Sequence, residues 1–222
     1  MGKITDLKQQ KKKLDRFNVF IDGNFAFGIS ADLRFEKKLE VGQNLSEKQL
    51  AELINLDQAE RLLAKSLRFL SFRPRSEREI REHLLRKGKL KDIKGDDEKA
   101  QYERSVETVI KKLENLGQID DYEFTKWWVE QRMRFKQSGT HLLKAELASK
   151  GVSKDTIDEV LSANINKESY EDLALTAARK KESSYRRLPK EDFKIRLSQF
   201  LARRGFDWNT IKKVVDSLID KR

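Results

Sequence analysis

The 222-residue sequence contains no cysteine, two prolines and two histidines. Without cysteine there is no disulfide, no thiolate metal site and no cysteine nucleophile. The histidines, His83 and His141, fall on separate predicted helices, so no metal pair is expected and no cofactor is assigned. Two prolines and ten glycines are too few for a disordered or low-complexity chain. No apolar run is long enough to span a bilayer, and Met1-Gly2-Lys3 opens no signal peptide, so a cytoplasmic location is expected. A glycine-rich phosphate loop and a recognisable nucleophile arrangement are both missing. These absences argue against an enzyme.

What the chain has in quantity is charge. Charged residues make up 38% and hydrophobic ones 37%, with a net charge of +11. Such a basic excess suggests an anionic partner, most often nucleic acid. The charge also oscillates along the chain. Residues 61–94 carry +8, residues 95–125 carry −5, residues 126–144 carry +4, residues 145–178 carry −4 and residues 179–213 carry +8.

The stretch Phe69 to Gly88, FLSFRPRSEREIREHLLRKG, predicts a helix end, a corner and a second helix. Pro74 lacks an amide proton and disfavours the α region at Arg73. Ser76 is a natural N-cap, and Glu79 three residues on completes a capping box. Ile80, Leu84 and Leu85 form the apolar stripe, and Gly88 is a C-cap signal. The pattern recurs. Ile80, Leu84, Lys87 and Gly88 align with Leu143, Leu147, Lys150 and Gly151, then with Leu197, Leu201, Arg204 and Gly205. Each copy follows a breaker (Pro74, Gly139, Pro189), with the two prolines expected at equivalent places. The charge oscillation keeps step with this helical repeat.

Taken in order, residues 1–56 form an N-terminal extension with the only convincing β region. Arg16 to Ile21 faces Phe25 to Ile29 across Asp22-Gly23-Asn24, a hairpin signal, and Ile4 to Lys11 could add a strand. Ser30 to Lys38 predicts a helical turn, and Ser46 caps a short helix carrying Leu50, Leu53 and Ile54. Repeat one covers 57–118. Its first helix places Leu62, Leu63, Leu67, Phe69 and Leu70 inward, a polar loop spans Lys89 to Lys99, and a third helix runs from Tyr102 to Leu116. Repeat two covers 119–166 and repeat three 167–222. The expected fold is mainly α, with three tandem three-helix repeats in an elongated curved array and a small N-terminal β-hairpin region.

Phe72-Arg73-Pro74-Arg75-Ser76 with Glu79-Ile80 and Leu84-x2-Lys87-Gly88 resembles the signature of the RecX family, bacterial regulators of the RecA recombinase. Leu116-Gly117-x-Ile119-Asp120-Asp121 with Phe124 and Trp128 resembles a second signature, and Glu146-Leu147-x2-Lys150-Gly151 a third. The resemblance covers residues 57 to 222, and the hairpin-bearing segment resembles the extension of Gram-positive members. The charged insertion at Lys89 to Lys99 departs from the pattern. The resemblance implies a non-catalytic protein, active in recombination, DNA repair and the SOS response. It would lodge in the groove of RecA–DNA filaments and modulate, usually inhibit, ATP hydrolysis and strand exchange.

The candidate RecA- or DNA-binding residues form three basic patches. The first is Arg73, Arg75, Arg78, Arg81, Arg86 and Lys87. The second is Arg132, Arg134 and Lys136, and the third is Arg186, Arg187, Lys194, Arg203 and Arg204. A monomer making weak, salt-dependent contacts to single- or double-stranded DNA is expected. The alternative is a stand-alone DNA-binding module with helix-turn-helix-like units. However, the exposed residues are almost all Arg, Lys and Glu, which suit phosphates or protein better than base edges. Trp128 and Trp208 are expected in the core, with Trp127 a candidate for partner contact. Asp120-Asp121 is expected to cap a helix, and Asp96-Asp97-Glu98 to lie in a loop.

Overall fold

The computed structural model describes residues 1–87 and 95–220, the side chains of Lys87 and Lys167 excepted. Gly88, the loop residues 89–94 and the Lys87 side chain therefore lie outside the described residues. The described chain is mainly helical, with ten helices and one four-stranded sheet. It divides into two compact units, Met1–Phe72 with Arg81–Leu116, and Arg73–Ile80 with Gly117–Arg222.

In the first unit, β1 (Gly2–Gln9), β2 (Arg16–Ile21), β3 (Asn24–Ser30) and the short β4 (Asn44–Leu45) form an antiparallel sheet ordered β3-β2-β1-β4. Asp22 and Gly23 both have positive φ (48° and 83°), so the two-residue turn matches the twist of the flanking strands. Ser30 caps α1 (Ala31–Glu36) by accepting from Leu33 N. Ile4, Val19, Phe27, Ile29, Leu33 and Leu53 build the core beneath the sheet. Polar pinning supplements it. Arg16 pairs with Asp57 at 2.7 Å, with side chains 11% and 5% exposed, and Asp57 also accepts from Ser30 N at 3.1 Å. Breaking so buried a pair typically costs about 3–5 kcal/mol, so Asp57 ties the sheet to the helix that carries it.

That helix, α2 (Glu47–Leu70), is one continuous element, opened by a Ser46–Gln49 capping box. The sequence predicts two helices here, a short one capped by Ser46 and another opening repeat one. Nothing at Asp57 interrupts good helix formers, and Asp57 is needed as a buried acceptor rather than as a cap. Ser66 is fully buried and Leu67 is 41% exposed, which corrects the expected inward Leu67. The buried stripe runs Leu53, Asp57, Leu62, Ser66, and Ser66 stands one turn beyond Leu62 on the same face. Ser66 Oγ donates back to Leu62 O at 2.9 Å, which satisfies the hydroxyl internally. Next, α3 (Glu77–Lys87) gives its first residues to the second unit and the rest to the first. Then α4 (Asp96–Asn115) buries Tyr102, Val106, Val109, Ile110 and Leu113. It starts earlier than expected. Asp96, Asp97 and Glu98 form its first turn, not a loop, where acidic groups favour the exposed amides.

The second unit holds α5 (Asp121–Lys136), α6 (Thr140–Ser149), α7 (Lys154–Asn164), α8 (Lys167–Tyr185), α9 (Lys190–Arg203) and α10 (Trp208–Ile219). Phe124, Leu143, Leu147, Ile157 and Val160 anchor one core. Phe193, Leu197, Leu201, Ile211 and Val215 anchor a second. Asp120 caps α5, accepting from Tyr122 N and Glu123 N at 2.8 and 3.2 Å. Asp121 caps a different helix, accepting from Glu77 N at the start of α3 at 2.9 Å.

The repeat glycines serve more than helix termination. Gly151 and Gly205 adopt left-handed φ (84° and 86°), and the carbonyls beside them receive the start of another helix. Ser76 Oγ donates to Lys150 O at 2.7 Å. Gly139 N donates to Arg204 O at 2.8 Å, and His141 N to Gly205 O at 3.0 Å. The start of α3 thus rests on the end of α6, and the start of α6 on the end of α9. The fit is tight, since a Cβ on Gly139 would lie 2.3 Å from the Gly205 carbonyl carbon. Ser76 and Gly139 stand four residues before the inward Ile80 and Leu143. The corresponding residue of α9 is Phe193, fully buried. The prolines are consequently not equivalent. Pro189 caps a 14-residue helix, whereas the 11-residue α3 begins after Ser76, two residues beyond Pro74. Here α9 fills its own docking position with a phenyl ring and continues for another turn.

Candidate partner-binding surface

Within the first basic patch, Arg73 is spent on holding the second unit together. Arg73 chelates Glu79 with both nitrogens (3.0 and 2.8 Å), and Lys150 reaches the same carboxylate at 2.9 Å. Glu79 is therefore not the second half of a capping box. Its amide donates to Ser76 Oγ at 3.2 Å, but its side chain turns to the two cations. Burial alone would raise the Glu79 carboxyl, yet the hydrogen bonds and charges of Arg73 and Lys150 outweigh it and hold the pKa at about 2. Both cations also face Trp128, Arg73 at 5.8 Å and Lys150 at 4.3 Å from the ring centroid. Arg132 covers the same ring at 4.6 Å. Glu146 closes the network, accepting from Trp128 Nε1 at 2.8 Å and Arg132 Nε at 2.7 Å. Arg73, Glu79, Trp128, Arg132, Glu146 and Lys150 are one interlocked assembly.

The other sequence-selected cations divide sharply. Arg75 is half-buried; burial, with Arg73 alongside, lowers its guanidinium below its ordinary value. Arg78 is exposed and lays its stem against Gly151. Arg81 forms a two-point ion pair with Glu107. Lys194 lies 3.7 Å from Asp216. Arg86, Arg134, Lys136, Arg186, Arg187 and Arg203 are exposed, while Arg204 is half-buried. Arg204 Nη1 donates to Lys136 O at 2.5 Å, which joins the end of the second patch to the end of the third. Lys180 and Lys181, which stand outside the recurring motif, lie at the same place. Lys180 Nζ donates to Gln137 Oε1 at 2.8 Å, and Lys181 stands 5.9 Å over Phe200, the ring that Arg204 covers at 5.2 Å. The +8 charge of residues 179–213 was the available signal.

Trp128 is half-buried, as is Trp127, and both pack against the Phe124 core. Trp208 corrects the expectation of a core residue, being 67% exposed. It opens α10, where Phe206 and Thr210 already fill the inward positions. His83 stacks on Phe69 with ring centroids 3.9 Å apart. Among the described residues, no group of three His, Asp or Glu side chains could hold a metal ion. No described helix is long and apolar enough to cross a membrane. The surface offers charge and a few exposed rings, which suit binding.

Four family models match the chain in order. They are described as the regulatory protein RecX N-terminal domain (residues 2–46) and the RecX first, second and third three-helix domains (residues 63–92, 120–161 and 168–215). A regulatory protein RecX of Clostridium botulinum (strain Eklund 17B / Type B) is 32% identical over 99% of this chain and 98% of its own length. That of Bacillus subtilis (strain 168) is 29% identical over 97% of this chain and 76% of its own length. A crystal structure of regulatory protein RecX superposes with a TM-score of 0.70 at 27% identity, covering 97% of this chain and all of the other. RecX from Lactobacillus salivarius shares the fold, with a TM-score of 0.59 over 75% of this chain and 99% of its own.

Proposed function

This chain belongs to the RecX family of regulatory proteins, and from that footing we propose that it regulates the RecA recombinase by binding RecA–DNA filaments, without catalysis and without a cofactor. Binding lowers ATP hydrolysis and strand exchange, because cationic side chains engage acidic groups of RecA and neighbouring phosphates and obstruct the second DNA strand. The protein acts as a cytoplasmic monomer, and its contacts with DNA weaken as salt rises.

The observation that carries this reading is the division among the basic residues. Arg73, Arg81 and Arg132 are neutralised by Glu79, Glu107 and Glu146, whereas Arg86, Arg134, Lys136 and Arg203 remain turned to solvent. Side chains left cationic in each unit after the internal pairs are satisfied favour an anionic partner over a purely structural role.

The test is single-strand-dependent ATP hydrolysis by RecA with this protein added well below the RecA concentration. Loss of turnover at that ratio is expected, since a filament can be stopped by few bound molecules. Inhibition appearing only once the protein covers the DNA would refute the proposal and leave simple competition for DNA.

A further inference from the structure

We propose that the principal nucleic-acid contact is a single-strand site where the end of α5 meets α8 and the end of α9, built on Lys136, Lys180, Lys181 and Arg204 beside Arg134 and Phe135. It rests on the reading above in taking DNA as one partner, and it relocates the contact away from the Pro74 corner.

Three observations carry it. First, the end of α5, α8 and the end of α9 converge. Arg204 donates to the Lys136 carbonyl at 2.5 Å, Lys180 to the Gln137 side chain at 2.8 Å, and Lys181 and Arg204 share the Phe200 ring at 5.9 and 5.2 Å. Secondly, they carry uncompensated charge. Among the described residues, no carboxylate forms an ion pair with Arg134, Lys136, Lys180, Lys181 or Arg204, whereas Arg73, Arg81, Arg132 and Lys150 all have one. Unpaired cations on adjoining elements repel one another, and phosphates relieve that repulsion. Thirdly, an aromatic ring is kept in water on the last turn of α5, between Arg134 and Lys136 in the chain. Phe135 is 61% exposed, with the Arg134 guanidinium 5.3 Å from its centroid.

A bare ring beside a cationic track suits unpaired bases, which stack on any flat apolar face while the backbone follows the charges. Duplex DNA offers only phosphates to such a surface, and an acidic protein face has no use for the ring. The frame is also rigid. Gln137 is buried with φ +46°, held by Lys180 and by its own bond to Arg134 O at 2.9 Å.

The experiment is fluorescence anisotropy of a labelled oligo-dT strand, and of a duplex of equal length, with the full chain at low and moderate salt and no RecA present. The single strand is expected to bind more tightly than the duplex. Lys180→Glu with Lys181→Glu should weaken single-strand binding at least tenfold and flatten the log–log salt slope by about 1.4, near 0.7 for each lost phosphate contact. Phe135→Ala should weaken it about tenfold with the slope unchanged, as loss of stacking does. The proposal is overturned if the double variant binds like the wild type. It is also overturned if Phe135→Ala is silent while single strand and duplex weaken equally, which would leave a generic anionic patch, such as one for an acidic protein. Failure of RecA regulation would show in the ATPase assay instead, with these binding results unaffected.

Discussion

Glu79→Gln is the perturbation with the most to say about how the second unit is held. The substitution keeps the shape of the side chain and removes the charge that both Arg73 and Lys150 face. Their side chains are 26% and 18% exposed and Glu79 is 17% exposed, so water compensates only partly. The lowered Glu79 pKa bounds the magnitude. A carboxyl drawn from 4.5 to about 2 corresponds to at most about 3.4 kcal/mol at ~1.36 kcal/mol per unit. Partial exposure and screening reduce this to about 2 kcal/mol. For a chain of this size that lowers Tm by about 4–8 °C.

The sign of the pH dependence follows from the same shift. Because the folded-state value lies below the unfolded one, the stabilisation is fully present above 4.5 and is lost as pH falls through about 2. Thermal unfolding followed by far-ultraviolet circular dichroism, from about pH 7 to about pH 2.5, should therefore show a gap between wild type and Glu79→Gln that is full at neutral pH and closes in acid. A gap of constant size, or none at neutral pH, would refute the assignment of Glu79 as the hub of the ion-pair network.

Two other substitutions probe the packing. Gly139→Ala places a methyl 2.3 Å from the backbone of Gly205, where nothing flexible can yield; a loss of about 2–3 kcal/mol is expected in urea unfolding, and a neutral result would mean that the helix ends do not meet there. Trp208→Ala should change stability by less than about 0.5 kcal/mol, because its ring is exposed, whereas Phe124→Ala should cost about 3–5 kcal/mol; equal effects would show that Trp208 is packed in solution.

How much was legible beforehand depended on whether the physics was local. The hairpin was, because Asp22-Gly23 demands positive φ and alternation marks the strands on either side. The inward Ile80 and Leu84 and their counterparts Leu143, Leu147, Leu197 and Leu201 were, because a 3.6-residue period appears in the sequence whatever lies opposite. The two-residue β4 was not, since nothing in its composition distinguishes it from a loop. The candidate site was legible as charge and illegible as geometry. Arg73 and Arg134 look alike in a sequence, yet one is chelated by Glu79 and the other lies beside a bare phenyl ring.

By itself the sequence determined the helical class, the three-fold recurrence, the caps at Ser46, Ser76 and Asp120, and the basic excess. Tertiary structure alone decided which cations are consumed and which remain. Glu79 finds Lys150 across 71 residues, and Arg204 finds Lys136 across 68. It also decided that Gly139 and Gly205 must both be glycine where two helix ends meet, and that Phe193 replaces the small residue at the corresponding place in α9. The strength of an ion pair and the room for a Cβ depend on what the fold brings within a few ångströms, and separation along the chain does not encode it.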